Sequence, residues 1–87
     1  MTNSMALTME EKGLITYLQN QINQTDALCL AKTQSIRDIE DQIDEATSEN
    51  SIRQLKQLLY ERQSELYILR FRLDFLQNQL IEFRSSL

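Results

Sequence analysis

Between two long apolar stripes the chain reads Thr47-Ser48-Glu49-Asn50-Ser51, an uninterrupted polar run. Thr, Ser and Asn bond to nearby backbone and prefer caps and turns to helix interiors. Upstream of the run, Ile15, Leu18, Ile22, Thr25, Cys29, Lys32, Ile36, Ile39, Ile43 and Ala46 follow a 3–4 spacing. That is the a/d seam of a heptad repeat. Downstream the spacing resumes at Ile52, Leu55, Leu59, Arg62, Leu66, Leu69, Leu73, Leu76, Leu80, Phe83 and Leu87. Continued without a break, the first register would put seam positions at Asn50 and Arg53, so the second stripe starts two residues out of phase. Coiled coils absorb insertions of three or four residues, whereas a slip of two rotates the stripe by roughly 200°. The phase slip and the polar run coincide, so the chain is predicted to turn at 47–51.

Folding the stripes together across that turn supplies a second test. Ala46 meets Ile52, Ile43 meets Leu55, Ile39 meets Leu59, Ile36 meets Arg62 and Lys32 meets Leu66. The series continues without slip through Cys29–Leu69 and Ile22–Leu76 to Ile15–Phe83. Thr8-Met9-Glu10-Glu11 and Ser51-Ile52-Arg53-Gln54 both fit the capping-box pattern of a helix start. The predicted fold is all-α: an antiparallel, coiled-coil-like two-helix hairpin, with dimerisation into a four-helix bundle as one way to cover further apolar surface. Residues 8–87 form the single hairpin domain, with helix 1 about 9–46, the turn 47–51 and helix 2 about 52–85. Residues 1–7, without a basic or strongly apolar segment, are expected to be a disordered tail and not a signal peptide. On the flanking edge Glu40 falls near Lys56 and Asp26 near Arg70, while Lys12 near Arg84 is unfavourable. Such exposed pairs contribute only about 0.2–1 kcal/mol each and tune register more than they hold the fold.

Composition agrees. The 87 residues include no proline and one glycine, Gly13, which argues against sheets and tight turns. There is no histidine or tryptophan, and Cys29 is the lone cysteine, so no internal disulfide staples the fold. With no histidine, no glycine-rich phosphate loop and no G-x-S-x-G, the inventory points to a protein that is not an enzyme, with no cofactor, no metal site and no small-molecule substrate. Thirteen acidic against nine basic residues give a net charge of −4. An acidic chain repels phosphate backbones and anionic lipid, so neither nucleic acid nor a membrane is an expected partner. No apolar run approaches the roughly 20 residues that span a bilayer. A cytoplasmic location is the expectation.

Helix 2 carries a second apolar stripe. Tyr60, Tyr67, Ile68, Phe71 and Phe75 take b, c and f positions, opposite the seam. Helix 1 presents Asp38, Asp41, Asp44 and Glu45 on its outer face, with nothing comparable to the stripe. A helix that is apolar on both sides is normally covered on both, and a lone hairpin covers one. The stripe is therefore the candidate partner-binding face, for a helix of another protein or of a second copy. In a third arrangement helix 1 folds back near Asn23-Gln24-Thr25-Asp26 and its first segment covers the stripe.

Other features receive structural readings. Lys32 and Arg62 interrupt the seam near its middle and are expected to snorkel, their charges reaching Asp38, Glu61 or Glu65. Cys29 on the seam reads as a small apolar core residue. Arg70-Phe71-Arg72 reads as a charged rim around an apolar interface, because Arg70 and Arg72 point in different directions. The acidic run from Asp38 to Glu49 is a solvated face set against the helix macrodipole, and Arg53 and Lys56 are expected to relieve it.

In length, two-helix shape and acidity the chain resembles the small two-helix co-chaperones of bacterial type III secretion systems, which help hold needle subunits soluble. The resemblance is one of silhouette and carries over no functional residue. Together these readings predict a non-enzymatic protein–protein interaction module, a small helical chaperone, co-chaperone or adaptor that binds through the outer aromatic face of helix 2. The alternative is a structural homo-oligomer using the same face.

Overall fold

The computed structural model describes residues 7–87. Two α-helices of 37 residues each, α1 (Met9–Glu45) and α2 (Glu49–Ser85), pack along their length as an antiparallel hairpin. The result is a rod with principal extents of 69 × 15 × 14 Å. Among the described residues there is no strand. Apart from Leu7, the expected tail at 1–7 lies outside the described residues.

The first helix begins where its capping box predicts. The Thr8 Oγ1 accepts the Glu11 N–H at 3.0 Å, and the Glu11 Oε1 accepts the Thr8 N–H at 2.8 Å. These bonds satisfy two backbone donors that the helix start would otherwise orphan. The helix then runs unbroken to Glu45, which overturns the fold-back near Asn23–Asp26. Thr25 supplies the reason: its hydroxyl donates to the Gln21 carbonyl at 2.7 Å within the same helix, and the residue is only 3% exposed in the seam. With its polar atom satisfied locally, Thr25 offers its methyl to the partner helix and gives the chain no cause to turn.

The link is shorter than predicted. Only Ala46, Thr47 and Ser48 separate the helices, so the turn does not extend to Ser51 and α2 starts at Glu49 instead of about 52. Ser48 takes the N-cap role expected of Ser51, its side-chain oxygen accepting the Ser51 N–H at 3.4 Å. Both serines fit a cap pattern. Starting at Ser48 lengthens the helix by three residues, its first backbone bond running from the Ile52 N–H to the Ser48 carbonyl at 3.0 Å, and sets Glu49 at the positive end of the macrodipole. Ala46 (φ −72, ψ 139) and Ser48 (φ −95, ψ 133) are both extended, and no described residue has positive φ. The reversal therefore uses backbone that any residue adopts, which is how a proline-free chain with one distant glycine makes it.

The core is the predicted seam. Its residues are buried or half-buried throughout, apart from the terminal Leu87, and all the buried side chains (Leu18, Thr25, Cys29, Ile39, Leu66 and Leu76) belong to it. The register also holds. Lys32 bonds to Glu65, one residue from its predicted opposite Leu66, and on the same edge the long Arg72 side chain reaches over from about one turn away to donate its Nη2 to the Gln21 Oε1 at 3.4 Å. The predicted charge pairs do not form. Among the described residues the ion pairs are Lys32–Glu65 and Arg62–Glu65, and neither Glu40–Lys56 nor Asp26–Arg70 closes to bonding distance. Exposed long side chains gain too little from pairing to give up their freedom. The last turn of α1 contains no base, and Arg53 and Lys56 make no ion pair that relieves the acidic run.

Two stability measurements follow. A Cβ added at Gly13 meets nothing within 4 Å, and its φ is not positive. Gly13→Ala is therefore expected to raise unfolding free energy by about 0.5–1 kcal/mol in urea titration, through helix propensity and the loss of unfolded-state freedom. Leu69→Asp or Leu73→Asp places a charge in the only inter-helix seam, and far-ultraviolet circular dichroism is expected to show loss of helicity.

Candidate protein-docking face

The side of α2 turned away from α1 is apolar and open. Tyr60, Tyr67, Ile68, Phe71 and Phe75 are all exposed, with Tyr67 at 74% and Phe71 at 72%. The same 3.6-residue period that turns Leu66, Leu69, Leu73 and Leu76 into the seam turns these side chains outward. They form one surface. Tyr60, Ser64, Tyr67 and Ile68 line one shallow groove, and Ile68, Phe71 and Phe75 line the next. Ile68 joins the two.

A third groove extends this surface onto α1, where Leu28 lies with Ile68 and Leu69 beside the Lys32–Glu65 pair. Leu28 was missed from the sequence, where the outer face of α1 was read as Gln, Asp and Glu. That reading needs correction, because Leu14, Tyr17, Leu28 and Leu30 are all exposed on α1. The available signal was the g position of Leu28, just beside the seam and on the edge nearest Ile68.

The seam's cations end beside this groove. Lys32 Nζ donates to Glu65 Oε1 at 2.9 Å, and Arg62 Nη1 donates to the same oxygen at 3.1 Å. Both stems thus cover the core while their charges leave it, as snorkelling predicts, and Glu65 is the shared acceptor among the candidates Asp38, Glu61 and Glu65. The hydrogen bond from Lys32 holds the Glu65 carboxyl below its ordinary pKa, aided by the Lys32 and Arg62 charges and opposed by partial desolvation. Arg70 and Arg72 stand on opposite edges of α2: Arg70 lines a groove with Ile36, Leu66 and Tyr67, while Arg72 borders Phe71 and Phe75. Cys29 is a free, buried thiol.

Among the described residues no group of His, Cys, Asp and Glu is arranged to hold a metal ion, and no helix is long and apolar enough to cross a membrane. The surface depressions are shallow and open. This geometry suits a second helix laid into the grooves of α2, with large side chains at the centre and arginines at the margin. No protein-family model, curated protein or solved structure matches the chain.

The Glu65 cluster carries a pH signature. A depressed folded-state pKa means that its contribution is complete above the ordinary glutamate pKa and is lost as pH falls through the folded value. The thermal unfolding midpoint of the wild type is therefore expected to fall on acidification through the carboxylate range. Glu65→Gln is expected to flatten that dependence, and an unchanged slope would remove Glu65 from the account.

Proposed function

We propose that the protein is a non-enzymatic interaction module, of the small helical adaptor or co-chaperone kind, that holds another helix against the outer face of α2. The observation that carries this reading is the continuous run of exposed apolar side chains from Tyr60 to Phe75, widened by Leu28. Fully burying one such side chain is worth about 1.5–3 kcal/mol, so a stripe of this size is a strong driving force for association. Its chemistry supports a binding role over incidental exposure. Tyrosine and arginine are enriched at binding hot spots, and the stripe combines aromatic anchors with flanking Arg70 and Arg72. The lone buried cysteine accords with a cytoplasmic setting. The alternative, a structural homo-oligomer, uses the same face.

Docking through this face separates two kinds of substitution. Phe71→Asp or Tyr67→Asp is expected to leave the circular dichroism spectrum helical while abolishing association measured by light scattering across a tenfold concentration range. If these changes unfold the chain as Leu69→Asp does, the outer face is part of the core and the docking reading fails.

A further inference from the structure

The outward stripe of α2 extends beyond its apolar centre and reads the same in both directions. In order it is Arg53, Gln57, Tyr60, Ser64, Tyr67, then Ile68, Phe71, Phe75, Asn78, Glu82. The spacing from the first residue to Tyr67 is 4, 3, 4, 3, and from Ile68 to the last it is 3, 4, 3, 4. A two-fold axis between Tyr67 and Ile68 therefore maps the stripe onto itself. From it we propose that the face docks a second copy of this chain, α2 against α2 in antiparallel register, with the axis between Tyr67 and Ile68. The proposal rests on the docking reading and names the helix that the face receives.

Each mirrored pair is chemically matched. Tyr67 meets the second copy's Ile68, and Tyr60 meets its Phe75. Phe71 meets Ser64, a small residue opposite a large one, as interdigitating helices require. Beyond the apolar centre Gln57 meets Asn78, two amides able to bond. At the ends Arg53 meets Glu82, giving two opposite-charge pairs by symmetry. Both residues are exposed, and neither enters an ion pair within the hairpin. Moving the register by one heptad toward the C-terminus pairs Tyr67 with Phe75 and Phe71 with itself, but it sets Ile68 against Asp74 and Tyr60 against Glu82, apolar groups against carboxylates. By the same symmetry the proposed register carries two adverse contacts, Glu61 with the second copy's Asp74, at its lateral edge.

The area is sufficient. At about 150–250 Å² per aromatic side chain, the exposed parts of the stripe offer roughly 500–800 Å² per copy. Two copies then bury about 1,000–1,600 Å², overlapping the roughly 1,200–2,000 Å² of specific, stable interfaces. Because the stripe lies opposite the seam, the two α2 helices meet at the centre and the α1 helices flank them, as a row more than a square bundle. The second copy is the resident occupant of the stripe, and a foreign helix that docks there has to displace it.

The test is a charge exchange read by sedimentation equilibrium on the full chain. The wild type is expected to be a dimer. Arg53→Glu or Glu82→Arg alone loses both symmetric pairs and replaces them with repulsion, weakening the dimer about tenfold, and the double variant returns to within about threefold of wild type. In a Cys29→Ser background, spin labels at Gln57→Cys are expected about 30 Å apart along the helix axes, against about 10 Å for parallel pairing. A wild-type monomer that keeps its helicity overturns self-pairing and leaves docking of a foreign helix standing. A dimer that Phe71→Asp does not dissociate overturns both readings. A double variant as weak as the singles, or a short label distance, overturns this register.

Discussion

Everything in this molecule hangs on one seam. Two helices in contact bury one stripe each, and among the described residues no third element shares the work. The consequence is a thin core in which no side chain is fully buried, the least exposed being Thr25 at 3% and Ile39 at 4%. Such a core leaves no room for an unsatisfied polar group, and the seam's exceptions are each resolved at the point where they occur. Thr25 bonds back to Gln21, while Lys32 and Arg62 send their charges to a single oxygen of Glu65. Among the described residues no buried side-chain nitrogen or oxygen lacks a partner. The seam therefore accepts polar residues in its middle without the desolvation cost that burial of a free charge would bring.

How much was legible in the sequence follows from the same geometry. A heptad stripe is a long-range statement repeated every few residues, so its face, its register and its reversal all survive local ambiguity. The end of the turn is a local statement, decided by which of two serines caps α2. Ser51 fits the capping box and Ser48 is a cap-type residue three places earlier; the difference lies in three additional helical residues and the placement of Glu49, which residue identity alone does not rank. Surface charge pairs were the least legible. Glu40 and Lys56 share an edge, yet no force fixes exposed side chains at one separation, whereas Glu65 is drawn to two cations already held by the seam.

The exposed outer stripe of α2 was legible for a related reason. A second apolar stripe on a helix whose first stripe is already assigned has one direction left to face, and the exposures of Tyr60, Tyr67, Ile68, Phe71 and Phe75 follow from that. Leu28 was overlooked because it sits beside the seam, at a g position. Sequence order assigns such a residue to the core or to solvent, and only the packed helices bring it against Ile68.

The distribution of charge bears on how such a surface stays specific. The acids of α1 concentrate toward the turn, at Asp38, Glu40, Asp41, Asp44 and Glu45. The stretch of α2 from Leu66 to Phe75 lies against the less acidic middle of α1. A second copy approaching the turn end of α1 meets a dense block of like charge, which a surface at moderate ionic strength screens only beyond about 10 Å. One approaching α2 meets aromatic rings bordered by arginines. For the proposed self-pairing, like-charge opposition on one side and apolar attraction on the other would narrow the modes of association, since specificity arises from the disfavoured contacts as much as from the favoured ones. The last turn of α1 contains no base, so nothing there offsets the acidic block.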